Sequence, residues 1–328
     1  MPLVYQPGAM GPAPTPEPHP RPRPTPAAQS WGLVISRGGE ALEFPASLTW
    51  EGPWIITPGV YGLDMPEVQV TRSRAAGMWG GHSSDIDVPS REVFLPLALI
   101  AGDLQTMLDE RDRFDRLTSP LTLDPVRLTA TRPDGTTRWV EGHTSVDSPR
   151  PWTSAEYLST IGQLRFGWTL ICDDPWWHGE QDPISWSSEE GRGGFFPLLP
   201  VKLRSGRVLA QPTPVFVRGD APMWPRWSIS GPAESVTATH VESGRSWTLH
   251  GQFGQSVTPI IVDTDPRVAM TTGLQVATPG GSQRWSWMQP PFDLWPLPPG
   301  DQTVTLEIVG ASPTTQVTMT PRPNYLAA

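Results

Sequence analysis

The chain has a single cysteine, Cys172, and a single lysine, Lys202, among 328 residues. One cysteine excludes an internal disulfide and any zinc site built from several thiolates. A disulfide-stapled secreted domain is thereby excluded, and the chain is expected to fold in a cytoplasm. The near-absence of lysine leaves arginine as almost the only cation and reads as a coding bias rather than a functional signal. Long apolar runs are missing too. The longest uncharged one, Val93 to Gly102, contains Pro96 and falls far short of the ~20 residues that cross a bilayer. No basic segment followed by an apolar one opens the sequence, so no secretory leader is expected. A basic excess is also lacking. Net charge is −9, and residues 1–205 carry 17 basic against 25 acidic side chains, residues 206–328 seven against eight. Neither part offers the cationic surface that draws phosphate. Neither a membrane nor a sequence-specific nucleic-acid partner is expected.

Proline and glycine are what the chain has in abundance. It holds 41 prolines and 31 glycines, and proline alone stands well above a usual ~5%. Ten of the prolines fall in residues 1–30, yet the remainder is still too rich in both for helices, because proline lacks the amide donor and clashes with the preceding turn. An all-helical protein is excluded and a βαβ protein disfavoured. Sixteen tryptophans and nine phenylalanines supply enough large apolar surface for real cores.

Residues 1–30 read as an extended arm. From Pro12 to Pro26 nearly every second residue is proline (PAPTPEPHPRPRPTP), which favours polyproline II and cannot bury a core. The arm is either a solvated spacer or a strap laid on a neighbouring subunit. From Trp31 short strands and turns follow. Trp31–Phe44 reads as a hairpin turning at Gly38-Gly39, Leu48–Ile56 as a strand broken at Gly52-Pro53, Val68–Arg74 as a half-buried alternating strand, and Arg91–Ile100 as a nearly continuous apolar one. One helix is expected after Asp103, with Leu104, Met107, Leu108 and Leu117 at helical spacing and Asp109, Glu110, Arg113 and Arg116 as the solvated face; Asp112 and Arg116 would pair. It should end before Ser119-Pro120. Val126–Thr131 and Thr136–Val146 flank the turn Pro133-Asp134-Gly135. Gln163–Cys172 alternates Leu164, Phe166, Trp168 and Leu170 on one face. Residues 175–205 are irregular, with a domain junction near their end. Residues 206–328 read as a β-sandwich with strands at Arg226–Ser230, Ser235–Val241, Ser246–Leu249, Thr258–Asp263, Val268–Thr272, Gln283–Met288, Gln302–Val309 and Gln316–Thr320. Within Gln302–Val309, Val304, Leu306 and Ile308 should face inward.

The side chains that could carry chemistry are few. His19 sits in the arm. His82 precedes Asp85 and Asp87 in GGHSSDIDVP, which lacks the full ligand series of a calcium loop and reads as a polar surface loop. His178 follows Asp173 and Asp174, with Glu180 beyond, and fits a packed turn as readily as acid–base or metal chemistry. His240 and His250 fall on strands. Glu189 and Glu190 are adjacent and would face opposite ways on a strand, unlike the opposed pair of a glycosidase. Cys172 reads as a small buried hydrophobe. Trp285 and Trp287, sharing a strand face, and Trp295 are candidate sugar platforms or core residues. No serine elbow, phosphate-cradling loop or paired zinc histidines occur. No catalytic, cofactor or metal residue is assigned, and no enzyme is expected.

Taken in order, these stretches resemble the distal tail proteins of long-tailed bacteriophages, especially minor tail proteins of phages infecting actinobacteria. The stretches are TWEGPWIITPGVYGLDMPEV, VFLPLALIAG with the helix after it, TATRPDGTTRWVEGH and FGWTLICDDPWWHGE, then RGDAPMWPRWSISGP, VESGRSWTLHG, IIVDTDPRVA and FDLWPLPPGDQTVTLEI. The resemblance runs from about Trp31 to the last residue. It implies a mainly β chain: a split-barrel (belt) domain with one α-helix over 31–205, then a galectin-like β-sandwich over 206–328, after the arm at 1–30. It further implies a homohexameric ring at the virion tail tip, assembled in the host cytoplasm. That ring would join the tail tube protein to the hub or fibre protein, with the tape measure protein as a further partner. An open barrel fits ring closure, because a neighbour's strands satisfy its unpaired edges. An acidic first domain suits a channel that must not trap DNA. The alternative is a carbohydrate-binding module for cell-wall attachment; a third reading is a β-sandwich hydrolase.

Overall fold

The computed structural model describes residues 32–45, 52–74, 77, 79–146, 163–187, 207–209, 212–253, 258–312 and 314–328. The arm with His19, the first part of the strand expected from Leu48, and Glu189 and Glu190 lie outside them.

Strand β1 (Gly32–Arg37) turns through Gly38 and Gly39 into β2 (Glu40–Pro45). The two glycines have φ of 59° and 88°, the positive values a two-residue hairpin turn requires. Then come β3 (Trp54–Ile56), β4 (Gln69–Ser73), β5 (His82–Asp87), β6 (Arg91–Ile100), helix α1 (Leu104–Leu117), β7 (Val126–Thr131), β8 (Thr137–Thr144), β9 (Gln163–Cys172) and β10 (Trp177–Gly179). The main sheet runs β2-β1-β7-β8-β9-β6-β3, with β10 added on β8. It curls until its edges meet: Phe44 of β2 and Trp54 of β3 touch edge to face at 6.0 Å. Trp54 also packs on Phe114 of α1 and Phe166 of β9, while its indole Nε1 donates to Glu110 at 2.9 Å. Inside this barrel-like sheet lie Ile35, Leu95, Leu128, Val140 and Trp168.

Pro96 sits inside β6 without breaking it. Within a strand a residue's N and C=O point the same way, and the Pro96 carbonyl accepts from Thr57 at 2.8 Å. The missing donor therefore faces the short gap between β3 and the isolated Tyr61–Phe94 bridge, where no ladder partner is lost.

Helix α1 starts at the expected cap, since Asp103 accepts from the Thr106 amide at 2.8 Å. Its buried stripe is Met107, Arg111, Phe114 and Leu117; Leu104, expected on it, is exposed. Two expectations for the next elements change. Strand β4 is not half-buried, since every residue of β4 and β5 is exposed, and GGHSSDIDVP is largely strand β5 rather than a loop. The alternation is real, with Val70 opposite Ile86, but both are exposed and no layer among the described residues covers that face.

The second body contains β11 (Ile184–Ser187), β12 (Arg207–Leu209), β13 (Thr213–Val217), β14 (Arg226–Ser230), β15 (Ala233–His240), β16 (Arg245–Phe253), β17 (Ile260–Asp263), helix α2 (Pro266–Thr271), β18 (Val276–Ala277), β19 (Met288–Gln289), β20 (Gly300–Val309), β21 (Gln316–Thr320) and β22 (Asn324–Tyr325). One sheet runs β11-β21-β14-β17-β18 and the other β12-β20-β15-β16-β19, with β13 also on β20. They share a core in which Trp227 meets Trp247 and Trp295 edge to face. Val304, Leu306 and Ile308 point into it. Strand β11, ahead of the expected junction near residue 205, pairs with β21, and β22 returns to pair with β10 of the barrel.

Two expected strands are helical. Val268–Thr272 lies mostly within α2, where Asp265 caps the Arg267 amide and Pro266 takes the first turn, a helix start that outweighs the β-branched residues behind it. Trp285–Trp287 form one turn of 3-10 helix, so the two indoles do not share a strand face.

Candidate functional site

A cleft of about 390 Å³ opens between barrel and sandwich. The barrel contributes Pro125, Arg127, Trp139, Glu141, Asp174 and His178. The sandwich contributes Trp224, Asp263, Asp265, Arg267 and Arg322, with Asn324 from the last segment. Strand alternation explains the barrel wall: Arg127, Trp139 and Glu141 stand on β7 and β8, where Arg127 faces Glu141 across the ladder and binds it at 2.6 Å. The guanidinium also lies over the Trp139 ring at 5.3 Å.

The floor is an ion network joining the two bodies. Asp174, just after β9, takes His178 Nε2 at 2.9 Å and Arg267 of α2 at 2.5 Å. Arg267 also grips Asp265, its own helix cap, at 2.6 Å. Burial alone would raise the Asp174 carboxyl, but hydrogen bonds from His178 and Arg267 prevail and hold it down at about 2. Burial opposes the charge on Arg267 as well, and its two carboxylates win, raising its pKa. Asp263, buried and 4.0 Å from Arg226, is raised by desolvation. A carboxylate held ionised by two donors is a fixed anchor and a poor proton donor. Asp174 thus serves this cleft as a structural tie.

The sequence brings His178 and Asp174 together as the spacing suggested. Asp173, next to Asp174, also lines the cleft, and Glu180 is exposed beyond it. Arg267 and Asp265 were not singled out; the Asp-Pro start of α2 is the signal that could have placed them. His82, Asp85 and Asp87 stand on the exposed β5, and among the described residues no three His, Cys, Asp or Glu side chains are gathered to hold a metal. His240 is buried and bonded to Ser243 at 2.7 Å and Gln302 at 2.9 Å; His250 is exposed on β16. Cys172 is fully buried, and burial pushes its thiol up to about 12. Trp295 lies in the sandwich core and offers no platform. No helix among the described residues is long and apolar enough to cross a membrane.

No protein-family model matches the sequence, and a comparison with curated proteins gives no match. Solved structures do match. One is SPP1 Dit, described as a paradigm of the hub adsorption apparatus of phages infecting Gram-positive bacteria, at 15% identity and a TM-score of 0.55, over 88% of this chain and 98% of that one. Another comes from the phage P2 baseplate in its activated conformation with Ca, at 10% identity and a TM-score of 0.52, over 88% and 97%. The chain thus has the mainly β fold of SPP1 Dit, as the resemblance to distal tail proteins implied.

Proposed function

We propose that this protein is a structural component of the tail tip of a long-tailed bacteriophage. Six copies close into a ring that joins the tail tube to the hub or fibre protein, with the tape measure protein as a further partner. The division into an arm at 1–30, a belt domain at 31–205 and a galectin-like sandwich at 206–328 belongs to the same reading, with β11 crossing that boundary to join the sandwich sheet. The likeness in fold to SPP1 Dit, over 88% of this chain and 98% of that one, carries it. The β4–β5 ribbon supports self-assembly. A lone two-stranded ribbon is marginal in water, and this one exposes Val70 at 41% and Ile86 at 67% on one face. A neighbouring copy would cover that face in a ring. No enzymatic role is proposed, and in the cleft between barrel and sandwich Asp174, Asp265 and Arg267 are held in ion pairs.

Light scattering of the purified chain, alone and with the tail tube protein, tests the reading. A species of six times 36.0 kDa is expected in at least the second case. Val70→Asp with Ile86→Asp should shift it toward monomer. A hexamer that tolerates both charges would remove the ribbon from the interface, and a monomer in both cases would count against ring formation.

A further inference from the structure

We propose that the cleft between barrel and sandwich is the seat of the chain's own proline-rich arm, through Pro18–Pro26. Three observations converge on this. The first is the chemistry of the walls. Proline-rich extended segments dock on aromatic-lined grooves, because each exposed pyrrolidine ring lies flat on an indole and the segment loses little entropy on binding. Trp139 and Trp224, one on each wall, are both partly exposed in this cleft, with Arg127 lying over one face of Trp139 at 5.3 Å.

The second is charge. The cleft carries five carboxylates, Glu141, Asp173, Asp174, Asp263 and Asp265, against the three guanidiniums of Arg127, Arg267 and Arg322. Asp173 is exposed and has no ion-pair partner among the described residues. Pro18–Pro26 (PHPRPRPTP) holds Arg21 and Arg23 and no acid. The two arginines are two positions apart, with Pro22 between them, so the segment brings two cations to a cleft with an excess of carboxylates. One can reach Asp173 while the other meets Glu141 or Asp263.

The third is reach. Gly32 lies opposite Thr131 on β7, and Thr129 lies opposite Trp139 on β8. The chain therefore enters β1 two strands, or ~10 Å, to the side of Trp139. From Arg23 to Gly32 an extended segment spans up to ~28 Å at ~3.1 Å per residue, which covers this offset and the two-residue shift along the strands.

The test uses the full chain with a photoreactive benzophenone side chain in place of Thr25. Irradiation followed by peptide mapping should give intramolecular cross-links to the cleft, at Trp139, Trp224 or their neighbours. Arg21→Gln with Arg23→Gln should lower that yield about tenfold, the equivalent of ~1.4 kcal/mol of lost binding, and leave the unfolding midpoint unchanged. Both changes sit in the arm, so failure to fold does not confound them. Cross-links mapping elsewhere, a product of doubled mass, or a yield unaltered by the double substitution would each overturn the proposal.

Discussion

Arg91 of β6 donates through Nη2 to the carbonyl of Leu326 at 2.8 Å, across 235 residues of sequence. The same guanidinium gives Nε to Pro175 at 2.6 Å and Nη1 to Gly62 and Asp64 at 2.7 and 2.5 Å. Arg91 is 3% exposed, so its planar fork of donors serves as an internal clasp between the barrel wall, the loop ahead of the ribbon and the chain's last segment. Arg138 adds a bond to Ala327 at 2.5 Å, and the Ala328 amide reaches Leu63 at 2.8 Å.

Replacing Arg91 with leucine should cost about 3–5 kcal/mol, because several buried carbonyls lose their donors together. Arg91→Lys should recover only part of this, since an ammonium concentrates its three donors at one point. Urea unfolding measures both. A loss under ~1 kcal/mol would mean that water replaces the clasp.

Asp174→Asn should loosen the junction of barrel and sandwich by about 2 kcal/mol at neutral pH. The sign follows from the lowered carboxyl. Its stabilisation is complete above the unfolded value of ~3.9 and is lost as pH falls toward about 2. The native chain should therefore lose stability across that window, and the variant should lose less. Thermal unfolding at pH 2, 3, 4 and 7 compares the two, and parallel curves would show that Asp174 is not the titrating tie.

Gly62 has φ of 84°, and a Cβ there would run into the Glu92 carbonyl. Gly62→Ala should cost about 3 kcal/mol or more through strain and displaced backbone. Gly39, at 88° with open space around it, should lose only ~1–2 kcal/mol on the same change. Equal costs at the two sites would show that the loop at Gly62 shifts freely.

How much could be read beforehand divides along physical lines. Where one strand face packs and the other does not, the period of two is in the sequence, so Leu164, Phe166, Trp168 and Leu170 of β9 and Val304, Leu306 and Ile308 of β20 were legible. The hairpin at Gly38-Gly39 and the Asp103 cap were equally plain, because turn and cap chemistry is local. Val268–Thr272 reads as a strand from its β-branched residues alone, whereas the Asp265 cap and Pro266 start a helix there. Burial of β4 was misjudged because alternation records only that one face is apolar, not what covers it. In the cleft, Asp174 and His178 are four apart and visible together. Arg267 is brought to them by tertiary folding, at a separation no local pattern encodes.

Leu306 is fully buried in the sandwich, and Leu306→Ala should cost roughly 2–5 kcal/mol. Because β22 and the Asp174–Arg267 pair tie the sandwich to the barrel, both bodies should unfold in one shifted transition. Two separated transitions would show that these ties are weak.

The proposed six-fold ring at a phage tail tip can be tested by three-dimensional averaging of intact tail tips that contain this protein. Six copies should surround the tail axis, with barrels inward against the tube and β4–β5 ribbons covered by neighbouring copies. A single copy, or copies outside any closed ring with their ribbons bare, would contradict it.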